Sequence, residues 1–403
     1  MNSGDIAWIL ASSALVLLMT PGLAFFYGGL VRRKNVTATI MYSFMSMGLV
    51  GVVWVLWGYS LAFAPDLGGF GLIGDLSWFG LAGVSATEPG PYADNIPHQA
   101  FMIFQGMFAI ITPALITGAF AERMKFSSYV IFIVLWVTIV YAPVAHWVWG
   151  ANGWLGGLGA LDFAGGTVVH INSGIGALAA AIIVGKRTGY GAHPMPPHNV
   201  PMVVLGAGLL WFGWFGFNAG SALAADGVAV NAFVVTNTAA AAAILSWVAM
   251  SWVFGKKPSV IGAASGAVAG LVAITPAAGF VGVMPALVIG IGAGVICYGA
   301  IELLLRLKID DALAVFGVHG MGGAWGALAT GLFVGIGFGV LEVSRGEQIL
   351  RQLIGIGAVV GWSFVVTSII LLALKYTIGL RASESEEEAG LDLSQHGEGA
   401  YTA

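Results

Sequence analysis

Long stretches of this chain carry no charged side chain. The 30 residues from Val36 to Pro65, the 36 from Phe126 to Leu161 and the 44 from Pro258 to Ile301 contain no Asp, Glu, Lys or Arg. About 20 apolar residues suffice for a helix to cross a hydrocarbon core, and only a helix or a closed barrel satisfies its own backbone there. With 58% hydrophobic and 8% charged residues, against about a quarter charged in a soluble domain, the chain reads as an all-α polytopic membrane protein. Its net charge of −4 offers no basic face for nucleic acid. The single Cys297 supplies neither a disulfide framework nor a cysteine-based metal site.

Residues Met1–Asp5 lack the positive region of a signal peptide, and the apolar run behind them continues to Leu30 before meeting Arg32, Arg33 and Lys34. This run is read as a first transmembrane helix with its N terminus outside. Ten further helices fall near residues 37–63, 99–120, 128–149, 164–185, 201–218, 230–254, 259–276, 284–304, 312–336 and 350–378, eleven in all. Positive charge collects in cytoplasmic loops, which tests the arrangement. Arg32, Arg33, Lys34, Arg123, Lys125, Lys186, Arg187, Lys256, Lys257, Arg306, Lys308, Lys375 and Arg381 fall on one side, and only Arg345 and Arg351 on the other, 13 against 2 of the 15 basic residues. Residues 1–380 are expected to form the membrane domain, and 381–403 a cytoplasmic tail.

One short pattern occurs twice. Asp162 precedes His170 by eight residues, Asp311 precedes His319 by eight, and the copies lie 149 residues apart, from 170 to 319. Five helices carry the first copy (about 6–185) and five the second (about 201–336), with one final helix after them. An odd number per repeat turns the second copy upside down, as in inverted-repeat transporters whose binding elements meet near the midplane. Eight residues at a helical rise of about 1.5 Å put each histidine about 12 Å into a core about 30 Å thick. Ionisable residues at that depth are costly and mark a pathway or a bound group. The two imidazoles are therefore expected to meet at one central site.

Each aspartate begins a helix, where a carboxylate accepts bonds from unpaired N–H groups and faces the positive dipole end. Asp162 and Asp311 are thus expected to give structural and electrostatic support without touching a substrate. The paired histidines admit two uses. A metal site wants three or four ligands, and no third ligand falls at compatible depth. His146 lies near the outer end of the fourth helix, and His98, His193, His198 and His396 belong to loops, helix edges or the tail. Bis-histidine haem stays open on ligand count alone. A hydrogen-bonded pair lining a narrow pore needs no cofactor or metal, and it can donate to, accept from and pass protons along a small polar molecule.

The outer ends of three helices carry Phe104 and Phe108, Trp147 and Trp149, and the run from Trp214 through Phe217 to Ser221. Aromatic faces attract cations, and a serine hydroxyl accepts a bond from N–H. Taken singly, each aromatic is a packing or interfacial residue. Gathered at one end of the bundle, they point to a small nitrogenous cation.

With these residues in view, the chain resembles the Amt/MEP/Rh ammonium transporters, and among them the bacterial and archaeal Amt proteins. The likeness runs through Phe26-Tyr-Gly-Gly-Leu-Val-Arg-Arg-Lys-Asn35, Gly118-Ala-Phe-Ala-Glu-Arg123, Asp162-Phe-Ala-Gly-Gly-Thr-Val-Val-His170-Ile-Asn172, Gly213-Trp-Phe-Gly-Phe-Asn-Ala-Gly-Ser221, Asp311 to His319-Gly320, and Gly390-Leu-Asp with His396-Gly-Glu and Tyr401 in the tail. The resemblance implies an eleven-helix protomer, a homotrimer in the plasma membrane and one conduction path per subunit. It implies an outer recruitment site of Phe108, Trp149 and Ser221 with Phe104 nearby. Below this it implies a stacked gate of Phe108 and Phe217, then a pore lined by His170 and His319 as twin histidines and proton relay. Asp162 would support the outer site without being a ligand.

On this reading the protein is no enzyme: it deprotonates ammonium and conducts ammonia. An ion entering a dry tube pays a desolvation cost of several kcal/mol, whereas ammonia does not, and potassium has neither N–H donors nor a proton to give up. Net transport is expected to be electrogenic. An ammonium sensor with incidental conduction is the alternative, favoured less because no kinase or cyclase domain follows in the sequence; a membrane cytochrome is a distant third. Composition alone leaves the acidic tail solvated and disordered. The resemblance makes it a segment packed under the pore that engages a PII-class signalling protein.

Overall fold

The structure is a computed structural model and describes residues 1–401. Eleven helices build the bundle: α1 (Ser3–Leu30), α2 (Arg33–Phe63), α3 (His98–Phe120), α4 (Phe126–Leu158, with a break before its last turn), α5 (Gly166–Val184), α6 (Val200–Gly220), α7 (Gly227–Gly255), α8 (Val260–Ile274), α9 (Val283–Leu307), α10 (316–333) and α11 (Arg345–Thr377). Among the described residues all but α8 and α10 are long and apolar enough to cross a membrane by themselves. These two are short because they lie inside the protein. Every residue of α8 from Gly266 to Ile274 is buried, and irregular backbone at membrane depth is tolerated where protein, not lipid, surrounds it.

The boundaries expected for these helices shift for the same reason. Pro276 stops α8 two residues after Ile274. Residues 312–314, expected inside the tenth helix, form an irregular turn instead, in which the Ala312 and Leu313 N–H groups donate to the Ala119 and Gly118 carbonyls at 3.4 and 3.0 Å.

The first helix of each half lies along its counterpart, α1 against α6, and the last does the same, α5 against α10. This is the pairing an inverted repeat requires. Glycine makes both contacts possible. A Cβ at Gly206 would stand 2.2 Å from the Phe26 nitrogen, and one at Gly174 would stand 2.1 Å from the Gly320 nitrogen, so the helices approach main chain to main chain.

The two ends of the bundle differ in chemistry. At the end holding Asp162, the 64–97 connection carries a small hairpin, Pro89–Gly90 with Ala93–Pro97, and is pinned where His146 meets the Ala62 carbonyl at 3.0 Å and Asp66 at 3.1 Å. At the end holding Asp311, Arg187 bridges Asp310 (2.8 Å) and Glu122 (3.1 Å), and Arg32 also pairs with Glu122 (2.9 Å). The fully buried Arg123 donates to the carbonyls of Ala121, Gly185 and Asp310.

The tail departs from what its composition alone suggests. Two short helices, α12 (Glu384–Ala389) and α13 (Leu391–His396), fold onto the Asp311 end. Its acidic groups have specific partners. Glu387 accepts from the Thr188 N–H and hydroxyl and from Arg381, Lys34 donates to the Glu387 and Glu388 carbonyls, and the Asp392 carboxylate accepts from the Ala38 N–H in the first turns of α2. Leu391 is fully buried. These bonds and the buried Leu391 anchor hold the segment against the membrane domain.

Candidate functional site

Asp162 organises one end of the site. Its Oδ1 accepts from the Gly165 and Gly166 N–H groups at 2.8 and 2.7 Å, and its Oδ2 from the Thr167 and Val168 N–H groups at 2.7 and 3.2 Å and from the Thr167 hydroxyl. A carboxylate so surrounded holds open the wide π-helical turn of 166–171 that carries His170. The expectation of one continuous helix from Asp162 to His170 is therefore replaced by a loop and a widened turn. Asp162 also acts through its main chain, because its carbonyl accepts from the Trp149 indole N–H at 2.9 Å. The aspartate thus fixes both the aromatic at the mouth and the histidine in the depth.

A vestibule of about 300 Å³ opens at this end, lined among others by Phe108, Trp149, Ser221 and Gln105. Ser221 donates to the Phe217 carbonyl at 2.9 Å, which leaves its oxygen lone pairs free to accept. Phe104 is not part of this lining. It is fully buried behind Phe108, with ring centroids 5.0 Å apart edge to face, and it supports the ring in front of it. Phe108 closes the floor: its centroid lies 5.9 Å from Trp149 and 4.3 Å from Phe217.

Beyond the two phenyl rings lies a second, narrow cavity, lined by Phe217, His170, His319, Trp214, Tyr27 and aliphatic side chains, with a volume of about 20 Å³. That is room for about one water molecule, and too little for a haem. His319 sits in a second π-helical turn, 316–320. The two Nδ1 atoms are 3.2 Å apart and the rings lie 29° from parallel. Between two facing Nδ1 atoms only one hydrogen can sit. If His319 donates it, His170 carries its other proton on Nε2, and the reverse arrangement exchanges the roles. In either state the neutral pair offers one N–H and one bare nitrogen. The Nε2 of His170 is buried with no protein partner.

Leu313 and Ala314 line both this cavity and a wider one of about 470 Å³ at the Asp311 end. The sequence of spaces is therefore vestibule, phenyl pair, histidine chamber, a narrowing at Leu313 and Ala314, and vestibule again. Asp311 stands at the second end as Asp162 does at the first, but its Oδ2 accepts the Phe316 N–H at 2.8 Å and its Oδ1 has no partner.

The model of the Ammonium Transporter Family matches residues 7–401. The chain belongs to that family. The ammonium transporter of Bacillus subtilis (strain 168) is 52% identical, with the alignment covering 100% of this chain and 99% of that one. Ammonium transporter Amt1 of Archaeoglobus fulgidus is 49% identical over 100% of both. Among solved structures, Saccharomyces cerevisiae Mep2 superposes with a TM-score of 0.88 at 40% identity, covering 95% of this chain and 91% of that one. A protein described as a sensor Amt protein superposes at 0.91 with 33% identity, covering 98% of each.

Two residues of this transporter's candidate site escaped the sequence reading. Gln105 lines the vestibule, and its side-chain oxygen is buried and unpartnered. Its signal was present: an amide inside the apolar run from Ala100 to Ile111, between the two phenylalanines already singled out. Trp214, read from the sequence among the aromatics at the outer end, lines the histidine chamber instead, flat against His170 at 5.3 Å and 24° and held there by an indole bond to Thr275 at 2.9 Å. Only the packing reveals that role.

Proposed function

We propose that this transporter recruits ammonium in the Asp162-side vestibule, takes a proton from it there, and passes ammonia between Phe108 and Phe217 and along His170 and His319. The proton crosses separately by the histidine pair and transient water, so that net transfer is electrogenic. The single supporting observation is the hydrogen-bonded imidazole pair in a chamber with room for about one water. Such a chamber cannot hydrate an ion, which makes the charged route costly, while a neutral molecule finds both a donor and an acceptor. Trp149 and Phe108 give the cation aromatic faces, and Ser221 and Gln105 give its N–H groups acceptors. Asp162 and Asp311 shape the two ends without binding the substrate.

On this reading the Asp162 side is external and the arginine-rich Asp311 side cytoplasmic, the plasma membrane being the site of action. Homotrimeric assembly and engagement of a PII-class protein by the docked tail rest on the family resemblance. A sensing role is a second reading, motivated by the close superposition on the sensor Amt protein. The test is solid-supported-membrane current and methylammonium uptake with the full chain in liposomes. Wild type is expected to give both, and His170→Ala with His319→Ala to lose the current. Uptake with a flat wild-type current refutes the electrogenic step; unchanged transport in the double variant refutes the conduit.

A further inference from the structure

We propose that Asp311 is the proton acceptor on the inner side of the conduit, through which the proton released by ammonium reaches the cytoplasm. This rests on the electrogenic reading above and assigns its inner half to a residue.

The inference begins with a difference between the two halves. Five residues after Asp162 stands Thr167; five after Asp311 stands Phe316. The threonine and its neighbours complete a shell of five donors around the Asp162 carboxylate, which leaves no lone pair open to a proton. The phenylalanine supplies only its N–H, to Oδ2, and the Asp311 Oδ1 is buried without a partner. A buried, unpaired carboxylate oxygen is costly while it carries charge, and a proton on it removes that cost. One half of the repeat therefore holds a carboxylate whose two oxygens are both engaged by donors, and the other holds one with an oxygen left open.

Its placement suits the task. Two and three residues further on, Leu313 and Ala314 line both the histidine chamber and the inner vestibule, so Asp311 belongs to the segment that forms the narrow passage. The groups around it leave it available. Asp310 is taken by Arg187 at 2.8 and 3.0 Å. The guanidinium of Arg123 donates to three carbonyls, and Tyr27, from α1, donates to the Leu115 carbonyl at 2.9 Å. Asp311 precedes the first turn of α10 and is thus outside that helix. Burial pushes its carboxyl up to about 6, against the pull of the Phe316 and Val315 N–H groups and Arg123.

The step balances simply. An N–H bond of protonated His319 breaks and its proton passes through a water of the chamber to form an O–H bond on Asp311 Oδ1. That bond then breaks to water in the inner vestibule, leaving His319 neutral and Asp311 ionised. One proton moves per ammonium that entered, and ammonia leaves by the same opening.

The experiment compares wild type, Asp311→Asn and Asp311→Glu as full chains in liposomes, recording ammonium-evoked current against internal pH. Asparagine keeps an oxygen for the Phe316 N–H but carries no transferable proton. Its current is expected to fall at least about ten-fold, below the usual contribution of a positioned acid–base group, with thermal stability retained. Wild-type current is expected to depend on internal pH through a single titrating group, and glutamate is expected to restore current with a shifted midpoint. An Asp311→Asn current equal to wild type, with the same internal-pH dependence, overturns the assignment. If asparagine prevents assembly, glutamate decides: a shifted midpoint supports the assignment and an unshifted one overturns it. Absence of current in wild type instead sinks the electrogenic reading itself.

Discussion

Replacing Asp162 by asparagine isolates what a carboxylate contributes when five donors converge on it. The amide oxygen can keep the Gly165 and Gly166 N–H groups, now at 2.8 and 2.7 Å. The NH2 group then faces the Thr167 and Val168 N–H groups, now at 2.7 and 3.2 Å, and can bond neither, although the Thr167 hydroxyl can turn to accept from it. Two buried N–H donors are left unpaired, at about 1–3 kcal/mol each. The substitution is therefore expected to cost about 2–6 kcal/mol, a large part of the 5–15 kcal/mol typical of a folded domain. The turn also carries the carbonyl that holds the Trp149 indole, so recruitment should weaken with stability. Thermal unfolding of the purified protein in detergent gives the measurement. Thr167→Ala, which removes one hydroxyl and orphans no N–H, serves as the comparison at about 1 kcal/mol. Should Asp162→Asn melt with wild type, or lose less than Thr167→Ala, the view of a donor-saturated carboxylate would be wrong.

Other expectations concern the mouth and the inner face. Trp149→Leu removes an aromatic face worth about 0.5–2 kcal/mol to a cation, so the half-saturating methylammonium concentration in uptake assays should rise about 2- to 30-fold with the maximal rate preserved. Gln105→Leu should shift the same concentration dependence in the same direction, by the loss of one acceptor; an unchanged curve removes Gln105 from the site. On the inner face, burial alone would raise the carboxyls of Glu122 and Asp310, but Arg187, with Arg32 beside Glu122 and Arg123 near Asp310, holds both below their ordinary values. Groups depressed in this way stabilise the fold above the unfolded carboxylate pKa of about 4 and cease to do so as pH falls through their folded values. Their contribution to melting temperature should therefore be flat from pH 7 to about 5 and be lost below about 4, and Glu122→Gln should flatten that acid decline.

The doubled Asp–His spacing was readable because inverted halves must bring like positions together at the centre, whatever the details between. Those details were less readable. The expected helical run from Asp162 to His170 became a loop and a widened turn, since the shape there is set by donors converging on one carboxylate. The start of the tenth helix moved to Phe316 because Ala312 and Leu313 bond to α3, a tertiary contact with no local signature. Phe104 and Phe108 share one helix face and look alike in sequence, yet only Phe108 reaches the vestibule. The tail's acidity suggested solvation, whereas Thr188 and the first turns of α2 supply partners 199 and 354 residues away, beside Arg381 within the tail itself. Most telling is Phe316 in place of Thr167: the contrast was written in the sequence, but its meaning needs the open oxygen of Asp311 beside it.

Where Gly174 meets Gly320, there is no layer of side chains between the halves to act as a bearing. A machine that works by swinging one half past the other needs such a layer at its pivot, and here the pivot is locked at the point of passage. On the proposed route, traffic would then be governed by parts small enough to turn in place, the phenyl rings above and the imidazoles below. A crosslink stapling α5 to α10 should accordingly leave the rate of passage intact.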